Sequence, residues 1–73
     1  MSQDKILQLY EAAMKAYQEK SLDVAESISK QILAKDPKYS KVLHLLGCIY
    51  KDRGQLQQAI QFIQASIRTA PRG

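Results

Sequence analysis

At 73 residues the chain has room for one small domain, of a size that hides only about 60% of the surface its unfolded form exposes. It is 45% hydrophobic and 25% charged, with three glycines and two prolines, which excludes collagen-like and low-complexity classes. Its single cysteine, Cys48, excludes an internal disulfide framework, and its net charge of +4 is too mild to impose a nucleic-acid or membrane partner.

The N-terminal residues Met1 to Lys5 hold no apolar stretch of the kind a signal peptide needs, so cytoplasmic residence is the default expectation. Apolar residues at 6, 9, 10, 13, 16 and 17 then follow helical spacing and predict a first helix, with Ser2 as its N-cap. A second stripe, Leu22, Ala25, Ile28 and Ile32, follows Ser21 as cap. It ends at Asp36-Pro37, because proline disfavours the helical conformation in the residue before it. The third helix starts near Ser40 and carries Leu43, Leu46, Ile49 and Tyr50; Gly54 ends it by taking positive φ. The apolar run from Val42 to Tyr50 within it contains His44 and is far short of a membrane span, so no membrane partner is expected. The fourth stripe is Leu56, Ala59, Ile60, Ile63, Ile67 and Ala70, followed by Pro71. Ala, Leu, Gln and Lys abound and together outnumber the β-branched residues, and they lose little rotamer freedom in a helix. An all-α chain of two antiparallel helix-turn-helix units follows, since short connections favour antiparallel neighbours.

Shifting the chain against itself by 34 residues pairs Leu9 with Leu43, Leu22 with Leu56, Ala25 with Ala59 and Pro37 with Pro71. Each identity falls where a helix-hairpin repeat needs that residue type. In this the chain resembles the tetratricopeptide repeat family, whose unit has that period. Residues 40–73 match well, through Leu43, Leu46-Gly47, Tyr50, Gly54, Ala59, Ile63 and Pro71, with Gly47 and Ala59 small where two helices approach closely. Residues 6–39 form a degenerate first repeat. They keep Leu9, Ala13, Leu22, Ala25 and Pro37 but depart at Ala12, Ala16 and Ser29, where larger apolar residues are typical, and at Lys20, where glycine is usual. The resemblance implies four helices in an α-solenoid, a single domain over 1–73. The spacing of 34 argues against the pentatricopeptide arrays that bind RNA, whose repeat is usually one residue longer.

The resemblance also implies a concave face lined by the first helix of each repeat, where family members hold a peptide or helix of another protein. Its positions here are Leu7, Tyr10, Glu11, Met14, Tyr17 and Gln18 in repeat one, and Lys41, His44, Leu45, Cys48, Lys51 and Asp52 in repeat two. Spacing supports part of this independently: Tyr10, Met14 and Tyr17 stand at i, i+4 and i+7 and share one face, although packing between helices would use the same pattern. The clamp by which one subtype holds the C-terminal carboxylate of chaperone tails needs Lys and Asn where this chain has Tyr10, Met14 and Leu45, so that mechanism is not expected. His44, Cys48 and Asp52, at i, i+4 and i+8, fall short of the four ligands of a structural zinc site. Neither a metal nor another cofactor is expected. No nucleophile has a base at recognisable spacing and no glycine-rich phosphate loop occurs, so catalysis is not expected either.

Two repeats leave the last helix without a neighbour, and repeat arrays generally need at least three units. Phe62, Ile67 and Ala70 are therefore expected to be partly uncovered, covered in turn by further repeats of a longer array, by a second copy in a homodimer, or by a partner helix. The expected function is a protein–protein interaction scaffold. The alternatives are a helical-repeat RNA or polyanion binder, motivated by the positive charge and by Lys35, Lys38 and Lys41 around Asp36, and an N-terminal assembly domain of a larger enzyme. The bland reading of those lysines is a solvated surface.

Overall fold

Four helices follow one another: α1 (Ser2–Gln18), α2 (Leu22–Lys35), α3 (Ser40–Asp52) and α4 (Leu56–Thr69). The computed structural model describes residues 2–69, with side chains described from Lys5 onward. Ala70, assigned above to the open end, lies outside the described residues, as do Pro71 and the C-terminus; Ser2 is the first residue of α1.

The two hairpins close in the same way. After α1, the Lys20 N–H donates to the Tyr17 carbonyl and the Ser21 N–H to the Ala16 carbonyl; after α3, the Gly54 N–H donates to Lys51 and the Gln55 N–H to Tyr50. Both are Schellman turns, which satisfy the last carbonyls of a helix by putting one residue in the left-handed region. That residue is Gly54 in the second repeat (φ 83°) and Lys20, exactly one period earlier, in the first (φ 67°). Ser21 precedes α2 as expected, but its side chain makes no capping bond; its contribution is the backbone carbonyl that receives the Ala25 N–H. Between the hairpins, Asp36 ends α2 in an extended conformation and its carboxylate accepts the Lys38 N–H at 3.2 Å, turning the chain into α3.

α1 packs mainly on α2, α3 mainly on α4, and α2 meets α3 to join the hairpins. The main core gathers Ala13, Ala16, Ala25, Leu45, Leu46, Ile49, Tyr50 and Ala59, and a second group joins Ile6, Ile32 and Val42. Small residues set the spacing within each hairpin. A methyl group on Gly47 would stand 2.5 Å from Ile63 Cγ1 and 3.2 Å from the Ala59 carbonyl oxygen, so α3 and α4 touch almost backbone to backbone.

The departures of repeat one have physical reasons. Ser29 is wholly buried, but its hydroxyl donates to the Ala25 carbonyl at 2.7 Å, so no polar atom is stranded. Ala12 is exposed, whereas its counterpart one period on, Leu46, is wholly buried. Leu46 belongs to the main core cluster, and Ala12 does not.

Candidate functional site

α1 and α3 run in the same direction beside each other and present neighbouring faces. On α1, Tyr10, Met14 and Tyr17 are half-buried, each with part of its side chain against the core cluster and part at the surface, and Glu11 is exposed. On α3, Lys41, His44, Lys51 and Asp52 are exposed and Cys48 is half-buried. Leu45 departs from the expectation. It is 3% exposed and belongs to the core cluster against which Tyr10, Met14 and Tyr17 pack.

One hydrogen bond ties the two helices across this face. The Tyr17 hydroxyl donates to Asp52 Oδ2 at 2.8 Å, and acceptance by the carboxylate, with burial adding to it, pushes the Tyr17 pKa up to about 12. The phenol is therefore a neutral donor throughout the physiological range. Tyr17 and Asp52 also wall an open hollow of about 550 Å³ with Gln18, Lys20 and Leu22, at the end of the face nearest the hairpin turns. At the other end Tyr10 meets Tyr39 edge to face, ring centroids 5.9 Å apart, and burial, reinforced by Tyr39 and Cys48, raises the Tyr10 pKa. Between these ends the Cys48 Sγ lies 4.0 Å from His44 Nδ1. Asp52 is engaged with Tyr17, and among the described residues no three His, Cys, Asp or Glu side chains converge as a metal site would require. The chemistry on offer is an apolar, aromatic strip flanked by lysines and hydrogen-bonding groups.

Behind the face lies an ionic group that residue spacing did not announce. Glu26 on α2 accepts from the Tyr50 hydroxyl and, at 2.6 Å, from Arg53 Nη1, with Lys30 at 3.1 Å; Arg53 also reaches Asp23. The Tyr50 hydrogen bond, then those from Arg53 and Lys30, hold the Glu26 carboxyl down at about 2. Arg53 also lies 5.9 Å from the centroid of the Tyr50 ring. These residues join α2 to the end of α3 and so set the angle between the hairpins. The sequence separation of 27 between Glu26 and Arg53 matches neither helical spacing nor the repeat period, and no sequence signal marked the pair.

At the open end Ile67 is 69% exposed, and Phe62 is half-buried with its ring stacked on Tyr50, centroids 5.3 Å apart and planes within 2°. Leu56, 58% exposed, and Ile60, 53% exposed, extend the uncovered strip. One period earlier the same positions hold Leu22, Glu26 and Leu33, which are half-buried.

A family model described as tetratricopeptide repeat matches residues 29–61, the stretch that runs from Ser29 in α2 through α3 to Gln61 in α4. That stretch, 29–61, carries the pattern of a tetratricopeptide repeat. Its all-helical, strand-free architecture over the described residues fits a helical-repeat arrangement. Tetratricopeptide modules generally mediate protein–protein interaction, and the family is typically a non-catalytic scaffold. No curated protein matches the chain. No helix among the described residues is long and apolar enough to cross a membrane.

Proposed function

We propose that the module is a non-catalytic adaptor whose α1–α3 face receives a peptide or helix from a partner protein. The observation that carries this reading is the continuous half-buried strip of Tyr10, Met14 and Tyr17 beside the exposed Lys41, His44 and Lys51. Aromatic and methionine side chains give broad contact area that adapts to a partner. The Tyr17–Asp52 bond supports the same reading, since a face whose two helices are already tied loses less freedom on binding.

The test is selection of binders from a random peptide library, followed by mapping of the selected peptide on the isotope-labelled protein. Amide shifts centred on Tyr10, Met14, Tyr17, His44 and Cys48 are expected, with at least tenfold weaker binding after Met14→Glu. Shifts confined to α2 and α4 would overturn the assignment. A second reading, self-association through the open strip of α4, is favoured by the exposure of Leu56, Ile60 and Ile67. The two readings use different surfaces and are compatible.

A further inference from the structure

The antiparallel hairpins bring the start of α1, the end of α2, the start of α3 and the end of α4 to one end of the molecule. That end collects Lys5, Lys35, Lys38, Lys41 and Arg68, all exposed, against one carboxylate among the described side chains, Asp36. Lys5 and Lys35 wall one hollow with Leu9, and Lys38 and Lys41 wall another with Asp36 and Tyr39. Lys5 and Lys35, 30 residues apart in sequence, thus share one hollow. The opposite end is balanced: Lys20, Lys51 and Arg53 stand with Glu19, Asp23 and Asp52. The scattered lysines of the linear chain become an axial charge asymmetry once folded.

Helix stability explains only part of this placement. Lys35 and Arg68 lie in the last turns of α2 and α4, where a cation complements the helix dipole. Lys41 is the second residue of α3 and Lys5 the fourth of α1, where the dipole disfavours a cation. α3 has no acidic residue in its first turn to offset it. Among the described residues the ion pairs involve Lys30 and Arg53, and none of these five.

We infer that this basic end is a docking surface for an acidic segment of a partner polypeptide. Four of the five cations are lysines, whose ammonium groups pair with carboxylates as point charges and lack the planar fork that arginine brings to nucleic acid. Single-stranded nucleic acid is held by aromatic faces on which bases stack, and the tyrosine at this end, Tyr39, is half-buried with its ring engaged by Tyr10. The surface adjoins the α1–α3 face through Lys41, so one partner can run from one to the other. Its recognition of carboxylates does not require that face to be filled.

The probe is a decaglutamate peptide titrated into the isotope-labelled protein at low salt. Shifts at Lys5, Lys35, Lys38, Lys41 and Arg68 are expected, with affinity falling as salt is added. The double variant Lys35→Glu/Lys38→Glu should weaken binding at least tenfold and Lys35→Gln/Lys38→Gln by a smaller factor, with helicity retained. Lys20→Glu/Lys51→Glu, which changes net charge as much as the first variant, should stay within twofold. Equal losses in the two charge-reversed variants would show that net charge alone acts and would overturn the inference. So would an oligouridylate of matched charge binding this end tenfold more tightly than decaglutamate. Met14→Glu should leave decaglutamate binding unchanged, which separates this surface from the α1–α3 face.

Discussion

Lys20 and Gly54 occupy the same turn of successive repeats with the same left-handed backbone, but only one is a glycine. A side chain in that region costs roughly 1–2 kcal/mol, part of which returns through the lower entropy of the unfolded chain. Lys20→Gly is therefore expected to stabilise the protein by about 0.5–1 kcal/mol, read as a higher urea midpoint at unchanged slope. Gly47 is the reverse case. Its Cβ would enter the space held by Ile63 Cγ1, with the Ala59 carbonyl close by, so Gly47→Ala is expected to cost about 1–3 kcal/mol by overpacking. The Lys20 departure was visible as a missing glycine at the repeat period. That the chain accepts it by straining one residue, keeping the Schellman bonds, is a fact of the folded backbone.

At the scale of elements, the joint between α2 and α3 is bridged by Glu26, Tyr50, Arg53 and Asp23 in addition to apolar contact. Because the folded pKa of Glu26, about 2, lies below its ordinary value of 4.5, its contribution is fully present above about pH 4.5 and is lost as pH falls toward 2. With Glu26 still partly wet, 17% exposed at its side chain, the solvent-screened contribution is roughly 1–2 kcal/mol. Acid titration of stability should therefore be shallower for Glu26→Gln than for the parent chain in that window; identical slopes would remove Glu26 from the joint. The strip on α4 is the same joint unfilled. Where Glu26 meets Tyr50 and Arg53, the next period offers Ile60, so any helix covering α4 must meet it through apolar contact and not through this ionic pattern.

The whole molecule presents three surfaces: the α1–α3 face, the basic end that adjoins it at Lys41, and the uncovered strip of α4. If the strip self-associates, light scattering over a concentration series should show a mass rising with concentration. Ile60→Glu/Ile67→Glu should return it to that of one chain with helicity unchanged. A single-chain mass for the parent at every concentration would set self-association aside. Phe62→Glu is a poor probe of the same question, since Phe62 stacks on Tyr50 and its loss disturbs the α3–α4 core.

Helix number, order and turn positions were legible in the residues, because apolar periodicity, Asp36-Pro37 and Gly54 act within a few residues of themselves. The 34-residue identities carried that local pattern up to a repeat architecture. The same spacing placed Tyr10, Met14 and Tyr17 on one face, and the family pattern placed Asp52 beside them. Periodicity could not tell how deeply each residue of α3 sinks, because burial depends on which neighbouring helix covers it. Leu45 therefore proved to be core, while Leu56 and Ile60 joined the half-buried Phe62 on the uncovered strip. The Glu26–Arg53 joint and the basic end arise between residues remote in the chain, where no local spacing registers their approach. Charges scattered along a sequence acquire a direction only when antiparallel packing brings alternate helix ends together.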